Sequence, residues 1–557
     1  MNRMIINNIY YERVQLFIEG TFSEQPEKNV KFYLRNLTET LKFEAHQVIL
    51  DGAHFKLRFN VAILDDGNYL TPDQYLIVAK KGREEYIATV NPELTSPTVE
   101  EEQLEMEFDT QTAEQNFYLK RYKKTYKRGG SAKNYYYEIT PEISSEINEF
   151  VLKVVFKKPA AQLSGIRKKI KEIKKKFRAI SFSLRKTMFQ SIFYLSQYSA
   201  RFNGKKVLFT SDSRSEMSGN FKFIYDKMIE IGLDKKYNIL TSFKPHISSR
   251  RSFKDKFTFP FKLGRADYIF VDDFHPLIYT VKFHDKQELI QVWHACGAFK
   301  TVGYSRAGKK GGPFFDSLVH RNYTKATVSS ETDIPFYAEA FGIKETNILP
   351  TGVPRTDIFF DEQYKTRIIN HMNRELPIIQ GKKVVLFAPT FRGAGANSAH
   401  YPFFKINIQA LAEYCYNNNA VVLFKMHPFV KNKFVIPNQY KDIFQDVANY
   451  REVNDILFIT DILITDYSSL IYEYSIMEKS MLFYAFDLED YISTRDFYEP
   501  YESFVPGKIV KTFDQLIDAL NHNDFEQHKV KPFLDKHFKY QDGRSSERIV
   551  KEVFTLK

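Results

Sequence analysis

The chain has 557 residues, a formal charge of +12 and 43% apolar residues, enough for two to four domains with real cores. Its two cysteines, Cys296 and Cys415, lie far apart in apolar surroundings, which excludes a disulfide framework or a cysteine metal cluster and suits free buried thiols. The first ten residues carry no signal-peptide pattern, and no window reaches the roughly 20 apolar residues needed to span a bilayer, so a soluble or peripheral protein with an anionic partner is expected.

Residues 1–156 read as a β-rich accessory domain. Strand-like runs at 10–19, 30–36, 47–50, 55–64, 74–80 and 85–89 are separated by turn signals such as Asp51-Gly52 and Asp65-Asp66-Gly67. An acidic linker at 100–107 precedes further strands at 135–140 and 150–156, a spacing that suits an antiparallel sandwich. No catalytic constellation is visible here. The stretch 120–133 is basic and could guide a polyanion.

Residues 157–203 change character. Between 167 and 178 there are eight Lys or Arg and one Glu, and Ile166, Ile170, Ile173, Phe177, Leu184 and Met188 fall near one helical face. A basic amphipathic helix of this kind suits an anionic membrane surface, packing on the protein, or an RNA contact. No RNA-binding signature accompanies it, so nucleic acid is not expected as a partner.

From 204 the pattern alternates strand and helix. Apolar runs at 207–211, 268–272, 289–293 and 326–329 make one βα series, residues 355–380 a connection, and runs at 384–389, 421–425, 462–464, 481–484 and 508–510 a second. The expected fold is α/β: two Rossmann-type lobes, 204–365 and 366–557, facing a cleft. Ligands in such folds bind outside the carboxyl ends of strands. Neither a GxGxxG nor a Walker A sequence is present.

The chemistry gathers at strand ends. His294 ends the run 289–293 and could act as a general base, and the Gly- and cation-rich loop after it, 297–312, reads as flexible enough to close over an anion. Arg392, after Ala388-Pro389-Thr390-Phe391, offers a fork suited to phosphate. Pro428 ends the run 421–425 and leaves His427 at its tip, as a ligand or as a capped structural residue. Thr465-Asp466-Tyr467-Ser468-Ser469 reads as a hydroxyl-rich helix start, an ordinary cap or an anion site. Arg355 and Asp357 read as a structural pair. No Asp/Glu cluster resembles a metal site. Each motif taken singly has an ordinary structural reading. Together, two histidines, an arginine and a hydroxyl-capped helix at the strand ends of a two-lobed unit suit transfer of a phosphorylated group.

In this order, Trp293-His294 with Gly297, Ala388-Pro389-Thr390-Phe391-Arg392, Lys425-Met426-His427-Pro428 and Thr465-Asp466-Tyr467-Ser468-Ser469 with Glu473 resemble the CDP-glycerol glycerophosphotransferase family over about 204–550. Further likeness, in Leu34-Arg35-Asn36-Leu37-Thr38-Glu39-Thr40 and in the tail from His537 to Ser546, is to the staphylococcal-type poly(ribitol-phosphate) polymerases of wall teichoic acid. The resemblance implies a GT-B-like fold, a CDP-ribitol donor, a polyprenyl-diphosphate-linked acceptor and a peripheral position on the cytoplasmic side of the membrane. It implies His294 as the base toward the acceptor hydroxyl. It implies Thr390, Arg392, His427, Ser468 and Ser469 around the donor diphosphate, and Glu473 on the cytidine ribose. Family members often carry Gly sooner after this histidine; here Ala295 and Cys296 intervene before Gly297. A metal is not required by this reading, although Mg²⁺ is compatible with it, as is a homo-oligomer. The alternatives are a glycerol-phosphate polymerase or primase, a sugar-nucleotide glycosyltransferase and a non-catalytic membrane scaffold.

Overall fold

A computed structural model describes residues 3–554 apart from 25, 27–29, 66, 83, 99–107, 160–168, 248, 394–397, 431 and 433. The acidic linker and the first residues of the basic segment, including Ile166, Arg167 and Lys168, lie outside the described residues, and side chains at 169–182 are likewise not described.

The N-terminal strands form one connected network of eleven, not two separate sheets. Its main path runs Gln47–Asp51, His54–Asn60, Gln15–Phe22, Met4–Glu12, Glu84–Val90, Gln74–Lys81, Phe150–Lys157, Tyr136–Ile143, Lys124–Lys127. Lys31–Asn36 and Lys42–Glu44 branch from Gln74–Lys81. Pairing is antiparallel except between Met4–Glu12 and Glu84–Val90. The network wraps a core that includes Leu16, Phe32, Phe55, Phe59 and Tyr137. The run expected as a single strand at 10–19 is a hairpin: Met4–Glu12 and Gln15–Phe22 pair across Arg13, whose φ is 55°.

Helix Lys169–Tyr198 follows and docks its last turns on the first lobe through buried Phe189 and Phe193, which meet Phe259 and Leu263. Each lobe then holds a six-stranded parallel sheet. The first runs Asn238–Phe243, Lys206–Ser211, Tyr268–Val271, Glu288–Gln291, Lys325–Thr327, Ile348–Leu349. The second runs Phe444–Asp446, Ala420–Phe424, Lys383–Phe387, Ile462–Thr465, Ser480–Tyr484, Lys508–Val510. Their central strands are apolar and almost fully buried, as strands covered on both faces must be. In the second sheet the order reverses between Lys383–Phe387 and Ile462–Thr465. The crevice at such a switch point is where doubly wound sheets bind ligands.

The last helix, Ser545–Phe554, crosses back to the first lobe. Ile549, Val550, Val553 and Phe554 pack with Val207, Phe209 and Phe221. A division at 366 therefore does not hold for this helix, which belongs to the first lobe by packing.

Candidate functional site

The two sheets face a cleft of about 1540 Å³, lined among others by His294, Arg355, Thr390, His427, Ser468, Ser469 and Glu473. His294 meets residues 96 to 179 positions further along the chain there because both sheets point their carboxyl ends at the cleft.

His294 lies three residues past Glu288–Gln291. Asn220, itself buried, fixes this strand end: its Nδ2 donates to the carbonyls of Val292 (3.0 Å) and Trp293 (2.9 Å), while its Oδ1 accepts from Arg355 N–H (3.0 Å). The imidazole lies against Trp293 in a tilted pair, ring centroids 4.4 Å apart, and stays 45% exposed to the cleft. Its Nδ1 lies 3.7 Å from Asp273 Oδ1, so Nε2 is the nitrogen left for a ligand. Gly297 lies where the lobes come close: a Cβ there would sit 2.2 Å from the Tyr472 ring.

The loop after His294 is not a free flap. Phe314 and Phe315 are buried in the core of the N-terminal domain, where Phe315 stacks on Tyr137 at 4.1 Å. Lys309 pairs with Asp496 of the second lobe. Gly303 has φ +53°, and a Cβ there would lie 1.8 Å from the Ala340 carbonyl oxygen. A loop tied at three points cannot close as a lid. The N-terminal domain reinforces this face through the Arg13–Glu339 pair (2.6 Å) and the Gln15–Glu339 hydrogen bond (2.7 Å).

The motif Thr465 to Ser469 splits into two functions. Thr465 donates its hydroxyl to the Ala388 carbonyl at 2.7 Å. Asp466, fully buried, accepts from Thr390 N–H and Thr390 Oγ1, both at 2.8 Å, and from Arg392 Nη1 at 2.8 Å. Tyr467 donates to Asp487 at 3.0 Å. Only Ser468 and Ser469 face the cleft. The helix they open, Leu470–Ser475, has six residues, so hydroxyls and first-turn N–H groups count for more here than a macrodipole.

Arg392 departs from expectation, because it does not line the cleft. Its Nε and Nη2 grip Asp487 at 2.6 and 2.9 Å, and Nη1 is shared between Asp466 and the Thr390 carbonyl (2.7 Å). Tyr401, Tyr467, Phe486 and Tyr491 surround the guanidinium at 5.1–5.7 Å. The two carboxylates hold its pKa above the usual arginine value against the opposing effect of burial. Little of its donor capacity remains for a ligand.

His427 is half-buried, and its Nδ1 accepts from Phe429 N–H at 3.1 Å. Burial, Lys425, Lys300 and Arg495 all lower its pKa, so the ring is neutral near pH 7 with Nε2–H as its free donor. Glu473 is 2% exposed. One oxygen is paired with Arg355 across the cleft and the other, Oε2, is buried without a hydrogen-bond partner. Such an atom is costly unless a ligand satisfies it. Arg355 and Asp357 therefore do not pair: Asp357 accepts from Ser545 N–H, Ser546 N–H and Ser546 Oγ, and so caps the last helix. Among the described residues no three His, Cys, Asp or Glu side chains converge as a metal site.

Sequence reasoning placed His294, Thr390, His427, Ser468, Ser469 and Glu473 around one site, and the fold brings all six to the cleft. It missed Asp466 and Asp487 as the anchors of Arg392, Arg355 as the partner of Glu473, and Asp273 beside His294. The signal for Asp273 was available, since it follows a parallel strand of the same sheet.

Fold and cleft define a two-lobed, GT-B-like protein with its site between the lobes. The chain belongs to the CDP-Glycerol:Poly(glycerophosphate) glycerophosphotransferase family, whose model matches residues 192–555. It is 60% identical to teichoic acid ribitol-phosphate polymerase TarL of Staphylococcus aureus over 560 residues, 99% of both chains. It is 58% identical to teichoic acid ribitol-phosphate polymerase TarK of the same organism, over 91% of this chain and 99% of that one. A solved structure of the wall teichoic acid polymerase TagF shares the fold, with TM-score 0.55 and 20% identity over 70% of this chain and 98% of that one.

Proposed function

We propose that this chain is a wall teichoic acid ribitol-phosphate polymerase, transferring ribitol phosphate from CDP-ribitol to a growing polyprenyl-diphosphate-linked chain with release of CMP. The observation that carries this reading is the end-to-end correspondence with two proteins named as ribitol-phosphate polymerases, N-terminal domain included.

The cleft supports a division of labour. A terminal ribitol hydroxyl attacks the β-phosphorus of the donor; the new P–O bond forms as the bond to CMP breaks. The proton goes to His294 Nε2, while Nδ1 faces Asp273, which steadies the imidazolium. His427 Nε2–H, the hydroxyls of Ser468 and Ser469 and the N–H groups behind them receive the charge that develops on CMP. Glu473 Oε2 takes a ribose hydroxyl, which satisfies its orphaned oxygen. Arg392 acts indirectly: with Asp466 it holds Thr390 and the serine turn in place.

The acceptor is a lipid, and the surface beside the first lobe suits a membrane. No helix among the described residues is long and apolar enough to cross one. Leu184, Leu195 and Tyr198 on helix Lys169–Tyr198 and Phe253, Phe257 and Phe261 at helix Asp255–Arg265 are exposed large apolar side chains. The two helices pack together, with Lys254, Lys256 and Lys262 interleaved among the phenylalanines. Apolar anchors among cations suit peripheral attachment to anionic lipid on the cytoplasmic side. Sedimentation with anionic vesicles tests this: the triple change F253S/F257S/F261S is expected to abolish binding, and unchanged binding would refute it.

CMP release with CDP-ribitol and CDP-glycerol, each with a lipid-linked acceptor, tests the function. Turnover with CDP-ribitol alone supports it, and turnover with CDP-glycerol alone overturns the donor assignment.

A further inference from the structure

A group of cations beside the cleft has no ion-pair partner among the described residues. Segments from the two lobes pair there: Thr301 N–H donates to the Asp496 carbonyl and Tyr498 N–H to the Phe299 carbonyl, both at 3.0 Å, with Lys300 opposite Phe497. This pairing brings Lys300 of the first lobe and Arg495 of the second to one aromatic surface. The Lys300 ammonium lies 5.3 Å and the Arg495 guanidinium 5.9 Å from the Tyr491 ring. Arg495 also lies 5.4 Å from the Phe391 ring, which is 4.9 Å from the imidazole of His427. Arg306, from the same anchored loop as Lys300, donates one guanidinium nitrogen to the Lys310 carbonyl at 3.1 Å, and burial, with Arg495 adding to it, lowers its pKa.

The neighbouring cations are neutralised, Lys309 by Asp496 and Arg392 by Asp466 and Asp487. Among the described residues no carboxylate stands in ion-pair range of Lys300, Arg306 or Arg495, and besides its aromatic contacts Arg495 makes a 3.4 Å hydrogen bond to the Gly393 carbonyl. Burial, with Arg495 and Arg392 adding to it and Asp466 opposing, brings the Lys300 pKa down to about 7. Gathering three cations with no carboxylate paired to any of them is unfavourable unless an anion joins them. Two guanidinium forks and an ammonium are the groups that recognise phosphate oxygens.

Position indicates which phosphate. The ribose end of the cleft is at Glu473, and the serine turn and His427 follow. The cluster lies past Phe391 and His427, and neither Lys300, Arg306 nor Arg495 lines the main cleft. Arg306 and Arg495 are partly exposed, so the cluster opens to the surface. We infer that Lys300, Arg306 and Arg495 form a subsite for an internal phosphodiester of the acceptor chain, upstream of the attacking hydroxyl. This inference rests on the proposed polymerase reading for the identity of the acceptor. It gives the enzyme a hold on polymer that a bare polyol lacks, and it spans both lobes, so an occupied subsite ties them together next to the reacting groups.

The test uses the full chain and a fluorescently labelled ribitol-phosphate oligomer, whose binding is read by anisotropy, beside calorimetry of CDP-ribitol. In K300M/R495M the oligomer is expected to bind at least about tenfold more weakly, with donor affinity within about twofold of wild type. K300R is expected to retain oligomer binding, which separates charge from folding, and thermal melting checks that both variants are folded. Equal loss of CDP-ribitol would assign the cluster to the donor and overturn the inference; unchanged oligomer binding would overturn it outright. A wild-type chain that binds oligomer but turns over no CDP-ribitol would sink the polymerase reading and leave the phosphodiester subsite standing.

Discussion

Replacing Arg392 by Met tests whether this arginine of the second lobe is a ligand or a strut. The change leaves Asp466, fully buried, and Asp487 without their cation, and it opens a space among Tyr401, Tyr467, Phe486 and Tyr491. Removing one partner of a buried ion pair costs about 3–5 kcal/mol, because the remaining charge stays desolvated. For a unit of lobe size that corresponds to a melting shift of roughly 10 °C. Arg392→Lys is expected to recover only part of it, since one ammonium cannot grip Asp487 twice and still reach Asp466. Asp466→Asn removes the other half of the same contact, so the double variant should lose much less than the sum of the singles. Chemical denaturation monitored on the full chain reads these values, and calorimetry with CDP reads the site. A protein that melts normally but no longer binds CDP would refute the strut and restore Arg392 as a phosphate ligand.

Glu473→Gln keeps the shape of the side chain but removes the charge facing Arg355 and weakens the acceptor offered by Oε2; CDP affinity is expected to fall about tenfold, near 1.4 kcal/mol, and unchanged affinity would place the ribose elsewhere. His275, His320 and His537 are held neutral by burial, with pKa values of about 4, 3 and 3. Their folded values lie below the ordinary 6.5, so the unfolded chain binds more protons between about pH 4 and 6.5 and stability falls as pH drops through that window. These three groups contribute a slope of about 4 kcal/mol per pH unit near pH 5; His46, lowered to about 4, adds to it and buried Asp333, raised to about 7, opposes it, and urea denaturation reads the sum. His537 has no hydrogen bond at either ring nitrogen, so His537→Leu should remove about a third of that slope at little cost at pH 8.

The parallel strands were legible because a strand buried on both faces is written as an unbroken apolar run, and their carboxyl ends then point to the site. That logic found His294, His427 and the serine turn without any contact information. It could not find the pairing of Arg392 with Asp466 and Asp487, which lie 74 and 95 residues away. Nor could it see that the glycine-rich loop is pinned by Phe314 and Phe315, since glycine and lysine content reports local freedom and says nothing of two phenylalanines buried in another domain. The break at Arg13 carries no Gly, Asn or Pro, so the first hairpin read as one strand. Edge strands such as Asn238–Phe243 and Phe444–Asp446 lack the apolar run of the central ones and went unread. The return of the last helix to the first lobe depends on Asp357 capping it from 188 residues away.

The central claim is that the proton moves at His294 while the second lobe holds the nucleotide. Single-turnover CMP release by His294→Ala, measured with CDP-ribitol and a lipid-linked acceptor beside calorimetric donor binding, addresses both halves at once. A loss of about 10²–10⁴-fold in rate is expected, with donor affinity unchanged. Full turnover without the imidazole would contradict it, as would a variant that fails only because CDP-ribitol no longer binds.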